Sequence, residues 1–395
     1  MGFGENWRKW IICCVEYVKF PVLINGSANG YFTCKKRIRQ GDPIFPFLFL
    51  LVGEDLTFMI KRAQEQGIIS GFQVKSDGLN ISHLQFSDDT LIFLDADVDQ
   101  VRNLRAILIS FELLTGLKIN FAKSQIFGVG FEGDLSIFSS IFDYYSGCLP
   151  TTYLGLPLGD KYGGVAKWDK IIEKFLSKLA GWKKPLLSGA GKIQLIKNIL
   201  ASLPLYFMSL YEIPNSVIKK LEKIMKDFLC HDNKGRRKLH LVKWLALSRK
   251  KKQGELGIKN LKRMNQALLT KWSWRYAVED ESLWKSIVEE KYGSGETIWI
   301  PKNPTCIYGR SVWRYIMNHN SSFLKFVRFK VNDGSMCRFW DDNWIYDSLI
   351  KTCYPNLYAQ SRSKHSSVAE LGFAVGDSVT WNLHTPTRLN AAART

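Results

Sequence analysis

His83-Leu84-Gln85-Phe86-Ser87-Asp88-Asp89-Thr90-Leu91-Ile92-Phe93-Leu94 sets two adjacent carboxylates between two apolar, β-prone runs. The flanks read as strands and Ser87-Asp88-Asp89 as the tight turn joining them, which puts both carboxylates at the tip of a hairpin. Two like charges about 4 Å apart repel by about 4 kcal/mol at an effective dielectric near 20. A chain holds such a pair where the tip is well solvated or where a cation sits against it. Magnesium held by one or two carboxylates, with substrate phosphates completing its shell, is the metal reading. A solvated acidic turn is the plain one, and the surrounding sequence has to weigh the two.

Upstream, Trp7, Trp10, Ile11, Cys14, Val15 and Val18 recur at helical spacing between Glu5 and Phe20, and Pro21 ends the run. Val22-Leu23-Ile24, the turn pair Asn25-Gly26 and Tyr31-Phe32-Thr33-Cys34 predict a hairpin. A basic run then leads to Arg39-Gln40-Gly41-Asp42-Pro43 and the apolar stretch Ile44 to Phe58. Asp42 is a helix-start signal, Pro43 and Pro46 suit a loop and a first turn, and Gly67 stops the helix after Gln66. Phe47, Leu48, Leu51, Leu56 and Phe58 predict a central helix buried almost all round. Downstream, Val101 to Leu114 is predicted helical, with Leu104, Ile107, Leu108, Phe111 and Leu114 inward and Gly116 at its end. Short strands at 117–120 and 125–129 flank the loop Phe121-Ala122-Lys123-Ser124, and Tyr153-Leu154-Gly155-Leu156-Pro157-Leu158-Gly159 reads as a strand pair or bend.

From Trp168 the period becomes helical. Ile171, Ile172, Phe175, Leu176 and Leu179 form one stripe, Ser188-Gly189-Ala190-Gly191 opens a second helix reaching about Leu203, and Pro214-Asn215-Ser216 opens a third. The third carries Val217, Ile218, Leu221, Ile224, Met225 and Phe228. Lys234 to Lys252 reads as an exposed basic loop, Asn265 to Ala277 as a Trp-rich helix, and the chain beyond Asp280 as a loosely packed tail. Charge follows the same division. Residues 1–160 carry 14 Lys and Arg against 17 Asp and Glu, whereas residues 161–280 carry 27 against 9, so nearly all of the net +19 lies in the middle third. A localised basic block suits a polyanion, since each neutralised phosphate releases counterions; solvated helix faces are the bland alternative.

The 395 residues suggest two or three domains, and 46% hydrophobic residues supply a core. No apolar run approaches a membrane span, and Met1 to Glu5 lacks the features of a signal peptide. Eight cysteines without a C-x-x-C pair or zinc spacing predict reduced, mostly buried thiols, Cys337 and Cys353 among them, in an intracellular protein with no disulfide-linked partner. Asp95-Ala96-Asp97-Val98-Asp99 begins like a calcium loop but has Gln100 where Gly belongs and Ala106 where Glu belongs. Gly128-Val129-Gly130-Phe131-Glu132-Gly133 matches a dinucleotide fingerprint in letters but lacks its strand-helix context and downstream acid, and is read as a turn.

The order of pieces is more specific than any one of them. Arg39-Gln40-Gly41-Asp42-Pro43 before a helix, Phe86-Ser87-Asp88-Asp89 in a hairpin, Gly116-Leu117-Lys118-Ile119-Asn120-Phe121-Ala122-Lys123-Ser124 and Tyr153 to Gly159 together resemble the reverse transcriptase of plant LINE-type (non-LTR) retrotransposons. Trp182-Lys183 and Leu186 to Lys192 resemble its thumb; Gly254 to Leu261, Asn332-Asp333-Gly334 and Phe339 to Trp344 resemble the region beyond. The resemblance implies an α+β chain. Residues 1–160 form a partial right-hand palm of antiparallel hairpins and helices, 161–232 an α-helical thumb, and 233–395 a basic connection with an irregular C-terminal region. It implies that Asp88 and Asp89 bind Mg²⁺ for two-metal nucleotidyl transfer. Lys123 protonates the leaving pyrophosphate, and Arg39, Gln40, Gly41, Asp42 and Pro43 border nucleotide and template. Tyr153, Leu154 and Gly155 grip the primer, and Lys183, Lys184, Lys192, Lys250 and Lys251 hold the nucleic-acid backbone. The implied partners are an RNA template, a DNA primer and deoxynucleoside triphosphates, with no membrane.

Departures from the family pattern set a further expectation. The family's other metal-binding Asp lies just upstream of a segment like Gly2 to Trp7 and is not in this sequence, nor are the basic fingers; Phe45 replaces the usual Ser before Pro46. The downstream zinc-binding segment and ribonuclease H domain are also not found. The expectation is that this polypeptide alone lacks polymerase activity, and the alternative is a non-catalytic nucleic-acid-binding remnant that uses the basic thumb. Arg249-Lys250-Lys251-Lys252 resembles a nuclear signal, but such runs are more often solvated loops.

Overall fold

The structure is a computed structural model. It describes residues 2–16, 19–33, 42–143, 145–160, 164–182, 187–230, 244–249, 251–253, 256–293, 295, 299, 302, 312–345, 348–375 and 378–384. Helices and short strands are mixed throughout, each described ladder has two strands, and the chain divides into two compact units.

The first unit comprises Met1–Gln73 and Asn80–Cys148. Its elements are α1 (Glu5–Glu16), β1 (Lys19–Ile24), β2 (Ser27–Thr33), α2 (Phe45–Glu65), β3 (Phe72–Gln73), β4 (Asn80–Ile81), β5 (His83–Phe86), β6 (Asp89–Ile92), α3 (Val98–Thr115), β7 (Gln125–Phe127), α4 (Ser136–Phe142) and β8 (Tyr145–Gly147). In the β1–β2 hairpin Ile24 pairs with Ser27, and Asn25 and Gly26 both take positive φ (50° and 82°), the type I′ geometry that an Asn-Gly pair favours. Asp97 starts α3 by accepting from the Asp99 N–H at 3.1 Å. Gly116 ends α3 at φ 71°. The core joins Leu56 and Ile60 of α2 to Val101, Leu104, Leu108 and Phe111 of α3 and to Phe138 and Phe142 of α4.

Two burial expectations fail here. Helix α2 is not buried all round: Gly53, Leu56, Ile60 and Ala63 are its buried residues, while Phe47 and Phe58 are 68% and 69% exposed. Leu114, expected inward, is 78% exposed, because α3 turns Val101, Leu104, Leu108 and Phe111 to the core and Leu114 lies off that stripe. Segment 117–120 has no strand partner among the described residues, and α4 forms where the sequence predicts no element.

The second unit comprises Val74–Leu79 and Leu149–Thr395. It opens with the hairpin of β9 (Thr151–Tyr153) and β10 (Leu156–Leu158) and continues through α5 (Asp169–Gly181), α6 (Gly189–Leu195), α7 (Leu205–Met208), α8 (Asn215–Cys230), α9 (Trp244–Leu247), α10 (Leu261–Val278), α11 (Leu283–Tyr292), α12 (Val312–Asn318) and α13 (Asn320–Leu324). Ser188 caps α6 through the Gly191 N–H, as the Ser-Gly-Ala-Gly signal predicts. Trp168, Ile171, Phe175, Ile196, Leu200, Leu221, Met225 and Phe228 form the core around α5, α6 and α8; Leu176, expected inward, is 52% exposed. The stretch beyond Asp280 is better packed than a loose tail. Trp272, Tyr276, Trp284 and Trp313 interlock with ring centroids 5.2–6.3 Å apart, and Phe339, Trp340, Trp344 and Trp381 make a further aromatic core. Thiols also differ from expectation. Cys337 is buried, but Cys13, Cys14, Cys148 and Cys353 are exposed. No described helix is long and apolar enough to cross a membrane.

Candidate functional site

The hairpin tip is a two-residue loop, Ser87-Asp88, closed by the pair Phe86↔Asp89. Ser87 takes φ 54°, a left-handed value that a two-residue hairpin requires at its first loop position. The turn is therefore one residue shorter than Ser87-Asp88-Asp89, and Asp89 is the first residue of β6. Asp88 and Asp89 are both exposed, and neither makes a hydrogen bond or ion pair among the described residues. No third His, Cys, Asp or Glu among those residues joins them in a metal-sized group.

Behind the tip lies a polar layer that the sequence did not single out. Gln85 and His83 alternate onto the same face of β5 and both meet α2. Thr57 donates its hydroxyl to Gln85 Oε1 at 3.2 Å, and His83 Nε2 lies 3.2 Å from the same Thr57 oxygen. Ser82 Oγ lies 3.0 Å from His83 Nδ1. Since the single Thr57 proton goes to Gln85, His83 donates from Nε2, and in the neutral ring Nδ1 accepts from Ser82. Burial, with the positive charge of Lys61 second, holds the His83 pKa below its ordinary value, in agreement. Gly53 makes room for this layer: a Cβ there would stand 2.8 Å from Gln85 Nε2. A Gly in an otherwise strongly apolar helix is the one sequence signal that pointed here.

Lys123 ends a short 3₁₀ turn, Phe121–Lys123, exposed and without a bond to either aspartate. Asp42 accepts from the Ile44 N–H at 3.0 Å and so shapes the entry to α2, with Pro43 beside it. Arg39, Gln40 and Gly41 lie outside the described residues.

In the second unit Tyr153 pairs with Leu156, and Leu154 and Gly155 form the loop with φ 49° and 78°. Three side chains from the helical part fix this hairpin. Tyr206 donates to the Leu154 carbonyl at 3.0 Å, Tyr211 to the Pro157 carbonyl at 2.9 Å, and Lys170 to Thr152 Oγ1 at 3.0 Å. Asn265, only 2% exposed, then holds the Tyr206–Tyr211 segment. It accepts from the Ile213 N–H at 3.0 Å and donates to the Met208 and Tyr211 carbonyls at 2.7 and 2.9 Å. None of these partners is near in sequence, so no local pattern announces them.

Of the cations expected on a nucleic-acid backbone, Lys192 is 5% exposed and engaged inside the fold, which removes it from that set. Lys183, Lys184, Lys250 and the Lys251 side chain lie outside the described residues. Lys170, Lys174 and Lys178 of α5 and Lys219, Lys220 and Lys223 of α8 are exposed.

Comparison with known proteins agrees with the order of these pieces. The family Reverse transcriptase (RNA-dependent DNA polymerase) matches residues 2–158, a span that holds the Asp88-Asp89 hairpin, Lys123 and the β9–β10 hairpin. An Arabidopsis thaliana protein whose name assigns it provisionally to ribonuclease H is 34% identical over 185 residues, 45% of this chain and 29% of that protein. An uncharacterised mitochondrial protein of the same plant is 36% identical over 134 residues, 33% of this chain and 98% of its own length. A retrovirus-related Pol polyprotein from the type-1 retrotransposable element R2 of Popillia japonica is 23% identical over 122 residues, 31% of this chain and 19% of that protein. The chain thus spans less than a third of the first of these relatives and nearly all of the second. With the aromatic-x-Asp-Asp hairpin in place inside the matched span, the chain belongs to the reverse transcriptase family of non-LTR retrotransposons.

Proposed function

We propose that this chain supplies palm and thumb parts of an RNA-directed DNA polymerase, which joins deoxynucleoside triphosphates to a DNA primer along an RNA template. The observation that carries the reading is the pair of adjacent, exposed and unpartnered carboxylates at the hairpin tip within the family match. Their hard oxygens suit Mg²⁺, which takes one or two carboxylates and fills its shell with waters and substrate phosphates. Asp88 and Asp89 would hold the ion, which would supply Lewis-acid activation and neutralise charge on the transferring phosphoryl group. The Lys123 ammonium gives a proton to the leaving pyrophosphate, Asp42 and Pro43 border the incoming nucleotide together with Arg39, Gln40 and Gly41, and Tyr153, Leu154 and Gly155 place the primer strand. In a longer polypeptide that joins this chain to an upstream palm strand carrying the family's other metal-binding Asp, Asp88→Asn and Asp89→Asn lower the rate of template-directed extension with Mg²⁺ by about 10² or more, the scale expected when one electrostatic contact to the transition state is lost. Extension undiminished in both variants sinks the reading.

A second reading, nucleic-acid binding without catalysis, is favoured by the exposed lysines of α5 and α8 within the strongly basic middle third. It predicts a salt-sensitive gel shift that weakens with Lys219→Ala and Lys223→Ala and persists in Asp88→Asn.

A further inference from the structure

The loop between the short helices Pro355–Gln360 and Val368–Leu371 frames an open surface groove of about 650 Å³ lined by Ser361, Arg362, Ser363, Lys364, His365 and Ser366. Every lining side chain is a hydrogen-bond donor and none is a carboxylate. The frame is fixed at both ends. Ser361 is buried and donates its hydroxyl to the Leu383 carbonyl at 2.9 Å, while its N–H bonds the Leu357 carbonyl. At the other end the Ser366 carbonyl accepts from the Phe339 N–H at 3.1 Å, and Ser367 starts the next helix with a reciprocal capping box to Glu370.

Charge in this loop is left unbalanced. Neither Arg362 nor Lys364 has a carboxylate partner among the described residues, and Lys364 rests over the Tyr358 ring at 5.2 Å. The two acids closest in the fold are already engaged: Asp341 pairs with Lys351 at 2.8 Å, with His365 3.8 Å away, and Glu370 is held by the capping box. The Ser363 and Ser366 hydroxyls likewise have no acceptor among the described residues. Two cations and two hydroxyls on one rim, with the adjacent Asp341 already paired to Lys351, are the chemistry that recognises a phosphate group.

We infer that the Ser361–Ser366 loop is a phosphate-binding site, separate from the Asp88-Asp89 hairpin, that seats a phosphate of a polynucleotide strand. The groove is open rather than closed, so a strand can pass along it where a closed pocket would admit only a single nucleotide, and the chain's net charge of +19 favours a polyanion. This inference does not depend on polymerase activity, and its test reads none. Acylation of Lys364 in the full chain is followed by mass spectrometry with single-stranded RNA, with a deoxynucleoside triphosphate, or with inorganic phosphate as protectant. In parallel, the salt dependence of RNA binding is compared for the wild type, the double variant R362A/K364A and the charge-matched control K325A/K330A. Protection by RNA is expected at phosphate-group concentrations where the mononucleotide and inorganic phosphate give none. The slope of log affinity against log salt is expected to fall by about 1.4 in R362A/K364A, about 0.7 for each lost contact to a single strand. The control keeps nearly the wild-type slope. Equal protection by mononucleotide or inorganic phosphate keeps the site but overturns its assignment to a strand. Protection by none of the three, or equal slopes in both double variants, overturns the site itself.

Discussion

Asn265 is the side chain whose removal the second unit should tolerate least. It is 2% exposed and makes three hydrogen bonds, to the Ile213 N–H and to the Met208 and Tyr211 carbonyls. Asn265→Ala strands one donor and two acceptors in a region where Met208 is fully buried and Ile213 nearly so. Each stranded group costs about 1–3 kcal/mol, so the three together cost about 3–9 kcal/mol, less whatever a water entering the vacated space recovers. Asn265→Asp separates the contacts further. It keeps the acceptor for Ile213 but turns a carboxylate toward two carbonyl oxygens, so burial and those dipoles raise its folded pKa above the unfolded value of about 3.9. A group with a raised folded pKa favours the folded state at low pH and loses that advantage as pH rises through the folded value. The deficit of Asn265→Asp should therefore narrow on acidification, while that of Asn265→Ala should not. Urea unfolding of the full chain, followed by tryptophan fluorescence at pH about 8 and about 5, measures both. A loss below about 1 kcal/mol for Asn265→Ala, or a pH-independent deficit for Asn265→Asp, would refute the claim that this side chain ties Met208–Ile213 to α10.

His83 should titrate below pH about 6.5 with its proton on Nε2. Its stabilising contribution is then complete above that pH and is lost as pH falls through the folded value; imidazole NMR that finds a raised midpoint or the Nδ1–H tautomer contradicts this. Gly53→Ala should change stability by less than about 1 kcal/mol, because better helix propensity offsets the displaced Thr57–Gln85 bond. Combined with Gln85→Ala it should become stabilising by about 1 kcal/mol, and equal effects in the two backgrounds would rule out the close approach. Leu154→Asn should raise the melting temperature by relieving about 1 kcal/mol of left-handed strain at φ 49°; a fall would mean that Leu154 packing outweighs its backbone.

What could be read from the sequence was what local chemistry dictates. Asn25-Gly26 predicts its turn because only residues tolerant of positive φ fit both positions, and Gly67 and Gly116 end their helices for the same reason. Apolar period found α3, α5 and α8 but not how much of each surface would be covered, which is why Leu114, Leu176 and Phe58 were misjudged. Aromatic clusters need no period at all. Phe339, Trp340, Trp344 and Trp381 assemble across more than forty residues, and a stretch without periodicity reads as loose chain. The candidate site divides in the same way. Asp88 and Asp89 were visible as a motif, whereas Gln85, Thr57 and Gly53 behind them, and Tyr206, Tyr211 and Asn265 behind the β9–β10 hairpin, act through partners distant in sequence.

That hidden layer bears directly on what the carboxylates can do. The β5–β6 ladder places Gln85↔Thr90 and His83↔Ile92 on the face toward α2, and Phe86↔Asp89 and Leu84↔Leu91 on the opposite face. A one-residue slip of either strand would exchange the faces. It would turn Asp89 toward the apolar helix, where an unpaired carboxylate costs several kcal/mol, and would break both the Thr57–Gln85 and Thr57–His83 contacts. Gly53 adds a steric condition, since it accepts Gln85 at this one position. The register is thus fixed from behind by neutral polar contacts, and the tip can keep two charges in front without being held by any bond of its own. The proposed Mg²⁺ would need a fixed backbone and unengaged carboxylates, and both conditions come from residues behind the tip: Gln85, His83, Thr57 and Gly53 set the register that leaves Asp88 and Asp89 exposed.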